Sequence, residues 1–232
     1  MNKPDNHGDN LYPQSLSVKF DHATVQLDVP SGVWNPTPHG MHLGNMIDRL
    51  SFDGADVLEL GSGCGNHTIL IANKKPKSLT VTEIEQDILD NTWHNLIKNN
   101  VQMPVDYLVA DWTHVDRGPF DVLITNPPFA KSGKSYFRYF IDSLINDAHK
   151  LVRPGGRLIF IQSSMANFEK SKALMTDWGM TVREVGSHKG PFRDYYFEDP
   201  HFMEYIDSFP GAYEKKDGQF IETLTVFEAI LP

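Results

Sequence analysis

The chain has 232 residues, a formal net charge of −9 at neutral pH and 40% hydrophobic residues. This length suits one α/β domain with additional elements at the edge of its sheet, and the composition excludes fibrous and low-complexity proteins. No apolar run is long enough to cross a membrane, the polar N-terminus lacks the apolar core of a signal peptide, and the acidic balance argues against a broad basic face for nucleic acids. The single cysteine, Cys64, cannot form an internal disulfide, so we expect a cytoplasmic protein.

The N-terminal part contains a predicted tail, a hairpin and a helix. Residues 1–14 are polar, which predicts a flexible tail. Residues 16–20 and 24–29 alternate between apolar and polar side chains, and this alternation predicts an antiparallel hairpin. A loop rich in Pro and Gly and a short helix follow. We therefore expect a single domain over residues 15–232, in which residues 15–45 form a hairpin and a segment that covers a bound cofactor or substrate.

From residue 55 onward, predicted strands and helices alternate. The strands cover residues 56–60, 78–82, 105–109, 120–125, 157–161, 181–185 and 222–230. The helices with the clearest apolar spacing cover residues 86–99, 136–151 and 168–178. This alternation indicates an α/β fold with a doubly wound, mostly parallel, seven-stranded sheet that has helices on both faces.

Residues 187–220 interrupt this rhythm just before the last predicted strand. The segment is rich in aromatic residues: Phe192, Tyr195, Tyr196, Phe197, Phe202, Tyr205, Phe209, Tyr213 and Phe220. Long irregular insertions in compact domains are often lids or binding loops, so we predict an aromatic lid. The alternative is a small satellite core under a long loop.

The first predicted strand of the sheet leads into a glycine loop at residues 57–65, Val-Leu-Glu-Leu-Gly-Ser-Gly-Cys-Gly. Gly61, Gly63 and Gly65 let the backbone turn sharply and approach a ligand closely. A helical stretch follows, and the order strand, glycine loop, helix marks the place where open α/β sheets bind nucleotide-like ligands. The alternative is a tight turn with a structural role only.

Polar residues follow the ends of successive predicted strands. Glu59 lies just before the glycine loop, Glu83 ends the second strand of the sheet, and Asp111 and Asn126 follow the third and fourth. In a doubly wound sheet these four side chains line one crevice, where Glu83 could accept both hydroxyls of a ribose. Each of them alone could instead be a solvated loop residue, and Glu83 could cap the next helix.

Asn126 begins the most specific motif, Asn-Pro-Pro-Phe over residues 126–129. Two consecutive prolines stiffen the backbone and remove two N–H donors, which leaves carbonyl groups free to accept from a ligand. An Asn side chain beside such a carbonyl can hold both hydrogens of a planar –NH2 group, and Phe129 can stack on a flat partner. The alternative is a rigid corner with a core phenylalanine.

These motifs resemble those of the Rossmann-like class I S-adenosylmethionine-dependent methyltransferases. The resemblance runs from about residue 30 to residue 161, and the last strand is compatible with it. The chain is most similar to the subgroup that methylates planar nitrogens, which comprises glutamine N5 enzymes and the adenine N6 and guanine N2 enzymes of RNA or DNA. The four matching motifs are residues 57–65, 82–84, 110–112 and 126–129.

The resemblance implies S-adenosylmethionine as the cofactor and assigns residues to its site. The cofactor-binding residues are Glu59, Gly61, Gly63, Gly65, Glu83, Ile84, Asp111, Trp112 and Asn126. By this assignment Glu59 faces the methionine amino group, the glycines meet the methionine end and ribose, and Glu83 binds the ribose hydroxyls. Ile84 lies against the adenine, Asp111 holds its N6 atom, and Trp112 flanks the ring.

The same resemblance implies the catalytic residues. Asn126 and the Pro127 carbonyl orient the target nitrogen so that its lone pair points at the methyl group, and Phe129 packs on the substrate plane. The reaction is then an in-line methyl transfer that depends mainly on orientation and desolvation.

The methyl acceptor is the least determined feature. Residues 32–38 resemble the segment that precedes the first strand of the sheet in the glutamine enzymes, with Trp34 where Phe is usual, but the match ends at His39 and His42. No helical domain for release-factor recognition is recognisable, the charge is acidic and an aromatic lid is expected. We therefore predict a small-molecule amine or amide, with an RNA base or a protein glutamine as alternatives. The sequence carries no signal for an oligomeric state.

The predicted substrate-binding residues are Trp34, His39, His42, Phe129, Phe192, Tyr195 and Tyr196. His39 and His42 could also be considered as metal ligands. Because neither Cys nor a carboxylate accompanies them nearby in the sequence, we predict no metal site.

Two other functional classes share parts of the pattern. An NAD-dependent oxidoreductase also uses a glycine loop and an acidic residue after the second strand, but His67 and Thr68 occupy the region of its third glycine. A non-catalytic S-adenosylmethionine-binding protein would share the cofactor motifs but has no use for Asn126 and the prolines after it.

Calorimetric titration separates these classes. We expect S-adenosylmethionine and its demethylated product to bind and NAD to give no signal, because the loop lacks the dinucleotide spacing. Tight NAD binding without a response to the methyl donor would contradict the methyltransferase hypothesis.

Overall fold

The computed structural model describes residues 13–111, 114–129 and 137–232. The strands are β1 Gln14–Lys19, β2 Thr24–Val29, β3 Asp56–Leu60, β4 Ser78–Glu83, β5 Asp106–Val109, β6 Phe120–Thr125, β7 Val152–Ser163, β8 Thr181–Pro191, β9 Glu214–Lys216 and β10 Gln219–Ile230. The α-helices are α1 Pro38–Arg49, α2 Asn66–Asn73, α3 Gln86–Lys98, α4 Tyr139–Leu151, α5 Phe168–Asp177 and α6 Pro200–Asp207. No described helix has the length and apolarity needed to span a membrane.

The central sheet has the order β5-β4-β3-β6-β7-β10-β8, with β9 paired to β10. Strands β3 to β7 run parallel, whereas β10 runs antiparallel to both of its neighbours. The predicted doubly wound, mostly parallel fold is confirmed, and β9 is a short addition to its seven strands. The strand order reverses between β3 and β6, so their carboxyl ends border the crevice where ligands bind in such sheets.

Two cores cover the two faces of the sheet. Successive residues of one strand belong to different cores. Val57 packs with α1, α2, α3 and the β1–β2 hairpin, whereas Leu58 packs with α4 and α5. The strands therefore carry near-continuous apolar runs, as expected for parallel strands buried on both faces. Side chains that follow the alternation of Val57, such as Glu59, face the α1 side.

The segment 187–220 is more regular than the sequence predicted. β8 continues to Pro191, and β10 begins at Gln219 and pairs with it. The sequence of this part of β8 shows no alternation of apolar and polar residues, because β8 is an edge strand with mostly exposed or half-buried side chains. Its extended conformation comes from backbone pairing with β10. Asp199 caps α6, and the aromatic residues form a satellite core.

The N-terminal hairpin is confirmed, and α3 holds its outer edge. The Gln26 backbone donates to Asn99 Oδ1 over 2.8 Å and accepts from Asn99 Nδ2 over 2.7 Å. Asn95 makes the same pair of bonds with the Asp28 backbone, at 2.8 and 2.9 Å. Asn95 and Asn99 are four residues apart on a helix, which is a rise of about 6 Å, and Gln26 and Asp28 are two residues apart on a strand, which is about 6.6 Å. Because these spacings match, the two side-chain amides bond to the edge of β2 as a neighbouring strand would.

Asn95 also connects this edge to the glycine loop. The side chain is fully buried, and its Nδ2 donates to the Cys64 carbonyl over 3.0 Å. The hairpin, α3 and the loop are thereby joined through one amide group.

We predict that Asn99→Ala lowers the free energy of unfolding by about 1–2 kcal/mol, because it removes two bonds to the hairpin edge. Asn95→Ala should cost more, since it leaves buried backbone groups unpaired. Urea denaturation measures both, and Gln86→Ala, which removes only a surface bond to Asp90 on the same helix, should change little. Equal stability of Asn95→Ala and Gln86→Ala would contradict a structural role for the amide ladder.

Candidate functional site at the carboxyl ends of the strands

The glycine loop is held in place by backbone bonds to β4. The N–H groups of Gly61 and Ser62 both donate to the Thr82 carbonyl over 3.1 Å. Gly61, Gly63 and Gly65 have φ values of 74°, 54° and 80°, which L side chains rarely adopt. A Cβ atom on Gly61 or Gly63 would enter open space, so the loop forms an open cradle.

Gly65 has a different role from the other two glycines. A Cβ atom there would lie 3.1 Å from the Thr92 side chain and 3.3 Å from its backbone. This glycine therefore allows the loop and the start of α2 to pack closely against α3.

Glu59 is a buried carboxyl group next to the cradle. Its Oε2 accepts from the Thr68 hydroxyl over 2.6 Å, whereas its Oε1 has no hydrogen-bond partner within the described parts of the chain. Burial raises the pKa of Glu59 to about 8, with a further contribution from the Glu83 carboxylate. An unpaired acceptor in this position suits a cationic donor, because burying a polar group without a partner is costly.

Glu83 holds the loop and does not cap α3. Its Oε1 accepts from the Gly63 N–H over 2.8 Å, and its Oε2 accepts from the Ile84 N–H over 3.1 Å. The N-cap residue of α3 is Glu85, which makes no capping bond with its side chain. Burial raises the pKa of Glu83. Each carboxylate oxygen keeps acceptor capacity for a ligand hydroxyl.

The other two described positions of the predicted nucleoside side are exposed. Ile84 is 65% exposed and presents an apolar surface beside Glu83. Asp111 is exposed and follows the end of β5, and the Ala110 N–H donates to the Glu83 carbonyl. Trp112 lies outside the described residues.

Asn126 directly follows β6 and is partly buried. The preceding Thr125 donates through its hydroxyl to the Leu60 carbonyl over 2.8 Å, which ties the ends of β6 and β3 together. Pro127 is buried and Phe129 is partly buried. Glu59, Glu83 and Asn126 thus occur at the ends of three adjacent strands.

Phe129 connects this motif to the satellite aromatic core. Its ring packs edge to face on Phe202 with 5.7 Å between the ring centroids. Phe192 and Tyr196 are buried in that core, whereas Tyr195 is partly buried at its border. The packing of Phe192 and Tyr196 matches the satellite-core alternative, and their contact with substrate stays a prediction.

His39 and His42 lie in the first turns of α1 but contact different partners. His39 Nδ1 accepts from the Arg193 guanidinium over 2.7 Å, and burial and this cation lower the pKa of His39 to about 3. His42 Nε2 lies 3.1 Å from the Gly186 carbonyl. Trp34, on the preceding loop, is 44% exposed. In the described structure no group of three or more His, Cys, Asp or Glu residues could hold a metal ion.

Sequence reasoning missed Arg193 and Glu222. Glu222 is 2% exposed at the start of β10, and its Oε2 lies 3.8 Å from His39 Nε2. Burial raises the pKa of Glu222 to about 7. These residues are distant in sequence and belong to no motif, so only the pairing of β8 with β10 could have revealed them.

The residues present fit the predicted cofactor. The free oxygen of Glu59 can accept from the methionine amino group, and the glycine cradle leaves room for the methionine end. Glu83 can accept from ribose hydroxyls next to the apolar surface of Ile84.

A family model described as methyltransferase small domain matches residues 43–190. A putative protein N5-glutamine methyltransferase of Methanocaldococcus jannaschii is 25% identical over 186 residues, which cover 73% of this chain and 92% of that protein. Ribosomal RNA small subunit methyltransferase C of Mannheimia succiniciproducens is 33% identical over 111 residues, covering 47% of this chain and 32% of that protein.

The fold also matches solved structures. The 16S rRNA N2 G1207 methyltransferase of T. thermophilus, in complex with AdoMet and guanosine, superposes with a TM-score of 0.65 at 17% identity. The match covers 95% of this chain and 51% of that one. The chain thus spans about half of that structure, and 20% of ribosomal RNA large subunit methyltransferase K/L of Pseudoalteromonas atlantica.

We predict that Glu59→Gln stabilises the cofactor-free protein at pH 9 and has little effect at pH 5. The folded-state pKa of about 8 exceeds the ordinary value of 4.5, so the folded protein retains a proton that the unfolded chain releases. Stability from this group is present below pH 4.5 and is lost as pH rises to about 8, by at most about 1.4 kcal/mol per pH unit.

Thermal denaturation at both pH values measures this difference between variant and wild type. Glu169→Gln, at a side chain that is 86% exposed and pairs with Lys172, is the control and should show no pH-dependent difference, because a lysine keeps its charge over this pH range. A Glu59→Gln effect that is equal at pH 5 and pH 9 would exclude a buried carboxyl group with a raised pKa.

Proposed function

Because the chain belongs to the methyltransferase small domain family, we propose that it transfers the methyl group of S-adenosylmethionine to a planar nitrogen of a macromolecule, with an RNA base as the first candidate. The chain has the Rossmann-like fold of S-adenosylmethionine-dependent methyltransferases. The observation that carries the proposal is the placement of Glu59, Glu83 and Asn126 at the ends of three adjacent strands around the switch point.

An RNA base replaces the small molecule as the favoured acceptor. Relatives from Mannheimia succiniciproducens and Pseudoalteromonas atlantica are named as ribosomal RNA methyltransferases, and a relative from Caenorhabditis elegans is named as an rRNA N6-adenosine methyltransferase. The small-molecule prediction has no support among these names. The net charge of −9 argues against a broad RNA-binding face, so this domain would bind a short unpaired segment.

A protein glutamine is the second candidate. The Methanocaldococcus jannaschii relative, named as a putative N5-glutamine enzyme, matches along 92% of its own length. The resemblance of residues 32–38 to the glutamine enzymes supports the same candidate.

Bound S-adenosylmethionine supplies the electrophilic methyl group. The Asn126 side-chain oxygen and the Pro127 carbonyl would accept the two hydrogens of the target amine and hold its lone pair in line with that group. Phe129, fixed by Phe202, would pack on the plane of the base. Transfer would need the nitrogen lone pair on the line of the carbon–sulfur bond, and the proton that the nitrogen loses would pass to water, so orientation is the main contribution of the protein.

We predict that Asn126→Ala abolishes methyl transfer and leaves S-adenosylmethionine binding nearly unchanged, because the side chain orients the acceptor. Glu83→Ala should instead weaken cofactor binding by about 1.5–3 kcal/mol, the value of a hydrogen bond to a charged group. Calorimetry and transfer of labelled methyl groups to RNA measure the two effects.

The exposed neighbour Glu85, which makes no cap bond, provides the matched control. Glu85→Ala should keep both the dissociation constant and the rate. Full activity of Asn126→Ala would exclude a planar nitrogen held by this residue.

A further inference from the structure

The buried start of α2 has no cap. Side-chain oxygens cap α1, α5 and α6, whereas the cap position of α2 is Gly65, which has no side chain, and its first turn contains no acidic residue. The N–H groups of His67 and Thr68 have no partner among the residues that the structure describes, and that of Asn66 has only the Cys64 sulfur, a weak acceptor. All three residues are buried, so these donors lack an acceptor.

The Asn66 side chain adds another donor at the same place. It is 5% exposed, and its Oδ1 accepts from the Cys64 thiol over 3.4 Å, which fixes the orientation of the amide. Its Nδ2 is buried and has no hydrogen-bond partner within residues 13–111, 114–129 and 137–232. An amide nitrogen only donates, and a buried donor without a partner is costly. This position therefore suits an acceptor group of a ligand.

These donors lie beside Glu59. Thr68, in the same turn of α2 as Asn66, donates through its hydroxyl to Glu59 Oε2 over 2.6 Å. The Glu59 carboxylate also contributes to the raised pKa of the Cys64 thiol, whose sulfur bonds to Asn66. The open glycine cradle lies at the same edge of the sheet. One end of the cradle thus combines fixed donors with a single carboxyl group.

The fixed donors suit a negative group, and the carboxyl group suits a positive one. The start of a helix favours anions, because its N–H groups point outward and carry partial positive charge. Burial keeps a proton on Glu59 near neutral pH, and a cation placed beside this carboxyl group would favour its ionised form. The carboxylate and the ammonium group of an α-amino acid are bonded to one carbon atom, so the two neighbouring positions match the methionine end of S-adenosylmethionine.

Resting on the cofactor of the proposed function, we propose that Asn66 and the N–H groups at the start of α2 bind the carboxylate of S-adenosylmethionine and make this group a requirement for binding. Asn66 belongs to none of the positions that the sequence motifs assign to the cofactor. A methyl sulfonium that lacks only the carboxylate keeps the ammonium group for Glu59 but leaves the donors of α2 unpaired. The protein would therefore reject decarboxylated S-adenosylmethionine.

The first test compares S-adenosylmethionine with decarboxylated S-adenosylmethionine by calorimetry on the wild-type protein. The decarboxylated compound should bind about 10- to 100-fold more weakly, the loss expected for hydrogen bonds to a charged group. This compound has one more net positive charge, which by itself favours binding to a protein with a net charge of −9. Weaker binding would therefore report the carboxylate contacts and not general electrostatics.

The second test uses Asn66→Asp, which replaces the donor by a negative charge with little change of shape. The dissociation constant for S-adenosylmethionine should rise about 10- to 100-fold, whereas the decarboxylated compound should bind at least as tightly as it binds the wild type. Asn73→Asp is the matched control, because it makes the same change at the exposed last residue of α2, about 10 Å along the helix. It should preserve both dissociation constants.

Equal binding of the two compounds by the wild-type protein would overturn carboxylate recognition. An equal loss of both compounds in Asn66→Asp would also overturn it, since a purely structural Asn66 gives that result. The wild-type comparison needs no variant, so it decides the matter even if Asn66→Asp fails to fold.

Failure of the proposed function has a different signature. Absence of S-adenosylmethionine binding by the wild-type protein would overturn the cofactor and the carboxylate site together. Absence of methyl transfer to RNA, with the preference for the carboxylate intact, would overturn the proposed acceptor and support the site at Asn66.

Discussion

The glycine loop depends on its attachment to the end of β4. Two consecutive N–H groups, those of Gly61 and Ser62, share the Thr82 carbonyl, and the next N–H along, that of Gly63, donates to the Glu83 side chain. These bonds need β3 and β4 in their observed parallel register, in which Leu60 pairs with Thr82. The sheet therefore builds the floor of the site, because a glycine loop has too much conformational freedom to order itself.

The rest of the domain supports this loop from the α1 side of the sheet. Asn95 joins the hairpin, α3 and the Cys64 carbonyl. At the start of α2, the Nε2 atom of His67 lies 2.7 Å from the carbonyl oxygen of Gly40 in α1. Packing and side-chain amides thereby link the N-terminal extension to the cofactor side. The extension is therefore tied to the elements that hold the glycine loop.

The proposed acceptor side is built differently. Phe129, the last residue of the Asn-Pro-Pro-Phe motif, packs on Phe202 of the aromatic core, and Arg193 joins the segment after β8 to α1 through His39. A buried polar cluster of this kind costs stability unless its groups are paired. The Asn-Pro-Pro-Phe motif is visible in the sequence because its residues are adjacent, whereas the contact between Arg193 and His39 joins residues 154 positions apart and belongs to no motif.

Strong local patterns were enough for much of this structure. The apolar runs of β3, β4 and β6 predicted the parallel sheet, and the positions of the glycines, Glu59, Glu83 and Asn126 at strand ends were predicted as well, because each depends on neighbours along the chain. The regularity of β8, the amide ladder of Asn95 and Asn99, and the meeting of His39 with Arg193 and Glu222 left no local trace. They arise from contacts between residues 30 to 183 positions apart, and such contacts exist only once the strands have paired and the helices have packed on them.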